Sequence, residues 1–346
     1  MSGHPLPATT RRVELVRDPN GTYTRRIVNV PLPVPGDGEV LLHVRAASIQ
    51  RAEIEIPTML PPDTDFTGRI VGSDVAGDVV STGARVRSVA AGQKVLTQFF
   101  PHYNERPLSP QSKNGALGYL ADGVFGDYVV VEEAALAPAP ESLSYEEAAT
   151  LPSSPLTAWV ALGGLESPRA GQTVVIEGTG GVSTFALQFA IAAGATVIVA
   201  SSSDDKLARC LALGAKHGIN YRSTPEWGAR VLELTGGRGA DLIVDVGGRA
   251  TLDQAAACAA YEGTIAIVGG LGGYDGSVAG WPVMDKALVV RGVVAGPRPE
   301  FGRMCSFMAQ HRIRPIIDRI YDFEEIETAI AALGAGQVFG KLVLRL

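Results

Sequence analysis

The chain has 346 residues but only three cysteines, Cys210, Cys258 and Cys305, spaced far apart. That scarcity excludes a disulfide framework and fits a reducing compartment, so a cytoplasmic location is expected. No basic run occurs and the formal net charge is −6, which argues against a nucleic-acid partner. The first seven residues carry no apolar signal core. The most apolar long stretch, Phe185–Ala200, is broken by Gln188 and Gly194 and is too short to span a membrane, so no membrane partner is expected. Internal repeats and low-complexity segments are absent. Hydrophobic residues nevertheless make up 46% of the chain, enough for two folded domains with sizeable cores.

What the chain does contain is a strand–turn–helix pattern at residues 174–190. An apolar run ends at Glu177, and Gly178, Thr179, Gly180, Gly181, Val182 and Ser183 follow, opening a helix. Gly178 permits a sharp turn, and Gly180 lets a pyrophosphate approach the main chain. The helix beyond points free N–H groups and its positive dipole end at the phosphates. Ser183 stands where a third glycine is usual and is small enough for close helix–strand packing. The flanks decide in favour of a dinucleotide site over an ordinary turn. Strands are predicted at residues 195–200, 217–221, 241–246, 263–268 and 288–294, with helices at 206–213, 226–234 and 252–261. Ser203 is the expected N-cap of the helix at 206–213. Alternating strands and helices imply a doubly wound parallel sheet, with glycines after strand ends where ligands sit.

The nucleotide itself is argued from the end of the second strand, which reads Ser201-Ser202-Ser203. An enzyme for NAD usually places a carboxylate there, and a carboxylate repels a 2′-phosphate. Hydroxyls with Lys206 and Tyr221 nearby suit that phosphate, so NADP(H) is favoured over NAD(H). Arg222 flanks the same end. Asp204 and Asp205 are assigned to the helix macrodipole instead. Val246, Val268, Gly269 and Gly270 are expected to line the cofactor groove.

The first half reads differently. Strands are predicted at 40–46, 68–80, 95–99 and 128–131, with a helix at 145–150. This implies a β-rich domain. Residues 301–346, with helices at 303–310 and 326–333 and a strand at 341–345, are expected to fold back onto it.

These segments together resemble the medium-chain dehydrogenase/reductase superfamily, in particular its zinc-free alcohol dehydrogenase-like and quinone oxidoreductase-like branch. The resemblance is carried by residues 40–49, 72–80, 148–159, 178–183, 212–222 and 339–342. It implies an α/β fold: a GroES-like catalytic domain over 1–153, completed by 297–346, and a Rossmann domain over 154–296. It also places Thr157 at the nicotinamide. In zinc-using relatives three positions hold the catalytic metal; here they read Gln50, Ser73 and Ser153. None is a good zinc ligand, and no cysteine precedes Cys210 to build a structural zinc lobe, so no metal is expected. His43 and His102 are read as structural.

Without a Lewis acid, the easier task is hydride addition to an already polarised double bond. The resemblance therefore implies NADPH-dependent reduction of an enone, quinone or similar activated alkene. The resemblance puts Gln50 and Glu53 in the segment facing the reacting centre, with Ser73, Tyr103 and Ser153 as hydroxyl candidates on the same substrate side. Two alternatives stand beside it: metal-free NADP-dependent alcohol–carbonyl conversion, and a non-redox pathway enzyme or cofactor-binding protein on the same fold. A homodimer is expected through the apolar segment 287–294.

Overall fold

The computed structural model describes residues 5–59, 65–164, 168–275 and 277–346. Part of the N-terminal stretch read above, residues 1–4, lies outside them. Strands run in chain order as β1 (Thr9–Arg17), β2 (Tyr23–Pro31), β3 (Glu39–Ile49), β4 (Asp74–Thr82), β5 (Lys94–Thr97), β6 (Tyr128–Glu132) and β7 (Leu136–Pro138). Then come β8 (Thr173–Glu177), β9 (Thr196–Ser201), β10 (His217–Asn220), β11 (Ala240–Asp245), β12 (Ala259–Ile267) and β13 (Val289–Gly292), and finally β14 (Ile317–Asp322) and β15 (Lys341–Arg345). The chain divides into two compact units. One comprises Met1–Ser153, Pro297–Pro299 and Ile317–Leu346; the other comprises Ser154–Gly296 and Glu300–Ile316.

The first unit is built on a seven-stranded sheet ordered β14-β15-β3-β4-β5-β7, with β6 also paired to β3. β3 is its spine: eleven residues whose apolar side chains Val40, Leu42 and Val44 are fully buried. A long hairpin, β1 with β2, forms a separate two-stranded sheet. The sequence reading passed over it because arginine and threonine fill both strands. Its turn is set locally: Asp18 accepts the backbone N–H groups of Asn20 and Thr22. The strand expected at 68–80 begins only at Asp74. Gly72 breaks it, at φ +87°, where a Cβ would run into the Phe125 ring. That kink delivers Ser73 and Asp74 to the head of β4.

The second unit carries a six-stranded, all-parallel sheet ordered β10-β9-β8-β11-β12-β13. β8 is buried at every position, as a strand covered on both faces must be. The order steps outward from β8 to β10 in one direction and from β11 to β13 in the other. The switch point therefore lies between β8 and β11, where doubly wound sheets bind ligands. The helix expected over 252–261 stops at Cys258, and the chain passes straight into β12. Alanine-rich sequence favours a helix there, but pairing with β11 wins.

Residues 300–316 correct the expected domain boundary. They belong to the second unit, not wholly to the first as 297–346 was assigned. Within the helix Arg298–His311, Phe301, Met304 and Met308 are buried. Phe307 packs against Trp159 and Phe189, and Glu300 accepts the Trp159 indole N–H at 2.8 Å. This apolar stripe needs a partner surface, and that unit supplies it.

Candidate functional site

Three neighbouring strands of the first unit converge on one polar cluster. β15 opens with Lys341, β3 hands over to Gln50 at its end, and β4 begins with Asp74. Pairing of Leu342 with Ile49 and of Ser48 with Asp74 fixes the three side by side. Asp74 is fully buried and is the hub. Its Oδ1 accepts the hydroxyls of Ser73 and Ser153, each at 2.8 Å, and its Oδ2 accepts the Gln50 amide. Thr97 fixes the turn beneath by donating to the Ser73 carbonyl at 2.6 Å. Lys341 Nζ donates to the Ile49 carbonyl at 2.9 Å.

Glu53 completes the cluster. It sits in the first turn of the short helix Ala52–Met59 and folds back to accept the Gln50 backbone N–H. Only 6% of it is exposed, so it is not a solvated surface carboxylate. Burial, and then the charge of Asp74, push its carboxyl up to about 8. Burial also pushes Asp74 upward, against the pull of Lys341, Ser153, Ser73 and Gln50. Lys341 is pushed down by burial and held up by Asp74 and Glu53. An ammonium, a carboxylate and a neutral carboxylic acid together leave such a buried group without net charge.

The structure thus brings together four of the five substrate-side candidates: Gln50, Glu53, Ser73 and Ser153. Tyr103 stands apart. It is buried, with its ring edge-on to Phe100 at 6.4 Å and its carbonyl accepting the Arg298 N–H at 2.9 Å. Asp74 and Lys341 are the residues the sequence reading missed. Only the adjacency of β15, β3 and β4 reveals them, although Asp74 lay beside Ser73 in plain view.

In the second unit the glycine turn joins β8 to the helix Gly181–Ala192. Gly178 adopts φ +73°, a conformation L side chains rarely take. Gly180 is the N-cap, and a Cβ built on it meets nothing within 4 Å. The space above the turn is therefore open, as a cradle for a phosphate requires. Ser183 does more than pack: its hydroxyl donates to the Glu177 carbonyl at 2.7 Å and anchors the turn. Thr179 is buried; Val182 lies in the helix's first turn. Thr157 lies buried in the helix Ser154–Ala161.

β9 ends on Ser201, followed by Ser202 and by Ser203, which caps the helix Asp204–Ala212 by accepting the Lys206 N–H. Tyr221 follows β10, is 43% exposed and donates its backbone N–H to the Ser201 carbonyl at 3.1 Å. Asp204 accepts the Asn220 amide at 2.8 Å, so its carboxylate is engaged locally. The loops after β11 and β12 are zipped together by main chain. Val268 N–H donates to the Asp245 carbonyl, Leu271 to Val246, Gly272 to Gly247, and Arg249 to Gly273, all within 3.0 Å. Val246, Val268, Gly269 and Gly270 are thereby held at the carboxyl ends of adjacent strands.

Comparison with known proteins agrees with this architecture. The alcohol dehydrogenase GroES-like domain family matches residues 36–141, and the zinc-binding dehydrogenase family matches residues 181–310. A zinc-type alcohol dehydrogenase-like protein of Schizosaccharomyces pombe is 37% identical over 316 residues, covering 89% of this chain and 91% of that protein. A crotonyl-CoA reductase of Streptomyces avermitilis is 26% identical, over 93% of this chain and 84% of that one. A crystal structure from Sinorhizobium meliloti 1021, provisionally described as an alcohol dehydrogenase, superposes with a TM-score of 0.90 at 36% identity, covering 99% of this chain and 100% of that one. Among the described residues no helix is long and apolar enough to cross a membrane. The two-unit architecture, the parallel sheet with its glycine turn and these relatives together establish that the chain belongs to the medium-chain dehydrogenase/reductase superfamily of oxidoreductases.

Proposed function

We propose that the protein is a zinc-independent, NADPH-dependent reductase of activated C=C bonds, acting on an enone, quinone or comparable small molecule. The observation that carries this reading is the convergence of Gln50, Ser73 and Ser153 on Asp74. An amide and two hydroxyls directed at a buried carboxylate do not fit zinc, which is built from thiolate, imidazole and carboxylate ligands. A saturated alcohol gains most from a Lewis acid, whereas a conjugated double bond is already polarised.

The glycine turn, Ser201, Ser202, Lys206 and Tyr221 would hold NADPH, with Thr157, Val246, Val268, Gly269 and Gly270 lining its nicotinamide end. When bound, the nucleotide supplies a hydride for the electrophilic carbon. The chain's own residues do the rest. Gln50, the partly exposed member of the polar cluster, is the residue through which the cluster meets a substrate oxygen. Glu53 holds the transferable proton at neutral pH and is the proposed acid, delivering it to the substrate after hydride addition. Lys341 offsets the charge of Asp74, so the cluster does not repel negative charge growing on that oxygen.

The relatives' names favour a second reading, alcohol–carbonyl conversion; run with NADP(H) and without metal, it would have Glu53 exchange a proton with the alcohol oxygen. Titration of the protein with NADPH and NADH, followed by a panel of enones, quinones, aldehydes and alcohols, separates the two. Expected are tighter NADPH than NADH binding, with the preference lost in Lys206→Ala, and NADPH oxidation by enones or quinones that survives treatment with a zinc chelator. Turnover of alcohols alone supports the second reading, and binding without any turnover points to a non-redox role.

We infer in addition that the protein is a homodimer. β13 is an edge strand with Val289 half exposed, and Tyr261, Trp281 and Met284 are about 70% exposed nearby. An open apolar edge of this kind is satisfied by the same edge of a second copy about a two-fold axis.

A further inference from the structure

β8 and β11 lie side by side in the parallel sheet, and each ends on a carboxyl group, Glu177 and Asp245. Val244 pairs with Ile176, so the next residue of each strand brings these two together. Both are buried. Asp245 is well supplied with donors: the Gly248 N–H at 2.8 Å and the Thr251 hydroxyl at 2.6 Å. Glu177 Oε2 accepts the N–H groups of Val246 and Gly247, each at 3.2 Å. Glu177 Oε1 is buried and receives no donor among the described residues. The Glu177 side chain interacts with the Asp245 carboxyl, which is itself an acceptor when ionised. Two carboxylates in buried contact cannot both ionise, and only a proton joins them.

The surroundings agree. Burial, and then the charge of Asp245, hold Glu177 well above the usual carboxylate range. Burial also raises Asp245, against the pull of Thr251 and Gly248. Asp245 has the shorter donors, so Glu177 is the member that keeps the proton. The other titratable group that feels Glu177 is the Cys258 thiol, pushed up to about 12, chiefly by burial. Lys286 acts on that thiol, but its ammonium is bonded to the carbonyls of Ala256, Ala257 and Ala259.

We propose that Glu177 and Asp245 share one proton at neutral pH, and that neutral Glu177 is a positioning residue for the bound nucleotide. Glu177 holds both the glycine turn and the Val246-Gly247 loop: its carbonyl accepts the Ser183 hydroxyl of the turn, and its side chain accepts the two loop amides. Carrying a proton, it does so without adding a second negative charge beneath a pyrophosphate. The positioning half of the proposal rests on the nucleotide reading given above; the shared proton does not. When the pair loses its proton, two anions lie under the turn. Nucleotide affinity therefore falls as pH rises.

Infrared difference spectra of the nucleotide-free protein test the proton. Wild type at pH 7 should show a protonated-carboxyl C=O band that Glu177→Gln lacks, and in Asp245→Asn that band should vanish at lower pH than in wild type. The second variant carries the test if the first fails to fold. Between pH 7 and 9.5, wild-type NADPH affinity should fall roughly fivefold or more, while Glu177→Gln stays level. No band difference overturns the shared proton. A band difference with parallel affinity profiles overturns the positioning role. Failure of wild type to bind NADPH at any pH overturns that role together with the nucleotide reading, while the band still decides the proton.

Discussion

Glu53 is the residue whose protonation has the clearest consequence. Its carboxyl is lifted from an ordinary value of 4.5 to about 8, first by burial and then by Asp74. In the proposed reaction the acid form donates the proton, so reductase activity should hold through neutral pH and fall as pH rises through about 8. In Glu53→Gln that alkaline limb should disappear, with the rate reduced on the order of 100-fold, a typical contribution for a lost general acid. A steady-state pH profile of both proteins checks this. An unchanged limb in the variant removes Glu53 from the proton step. The same shift governs stability: a carboxyl raised on folding makes the folded state lose stability as pH climbs from about 4.5 to about 8. Thermal midpoints of Glu53→Gln should accordingly gain on wild type across that interval.

At the scale of the element, the turn between β8 and its helix separates two kinds of glycine. Gly178 needs its left-handed backbone, and Gly178→Ala should destabilise the protein by about 1–2 kcal/mol in chemical denaturation. Gly180 has ordinary backbone angles and open space above it. Gly180→Ala should therefore leave stability unchanged and weaken NADPH binding, because its methyl group fills the cradle. Equal loss of stability in the two variants would show that Gly180 is structural. This turn was legible in the sequence because each of its residues has a local reason to be there. The β1–β2 hairpin and β14 were not, since charged and threonine-rich strands lose the alternation that marks a half-buried strand. The polar cluster was read only in part. Gln50, Glu53, Ser73 and Ser153 could be aligned as positions, but the hub Asp74 and its counter-ion Lys341 are 267 residues apart in the chain and meet only through the register of β15, β3 and β4. Burial of Glu53 is likewise a tertiary fact, which no local pattern in the sequence announces.

For the whole molecule, the proposed dimer makes a direct prediction. Trp281→Glu combined with Val289→Lys should shift the protein from dimer to monomer in analytical ultracentrifugation, with the circular dichroism spectrum unchanged. A wild type that sediments as a monomer at micromolar concentration removes the proposal. The loops after β11 and β12 are laced by main-chain hydrogen bonds as a sheet would be, although they belong to no strand. Their amides should exchange with deuterated water on the slow timescale of the strands, well behind other glycine-rich loops of the chain. Substitutions among the side chains they display should leave that clock unchanged. The wall of the proposed cofactor groove is written in backbone, so its lining is open to evolutionary change without loss of its shape.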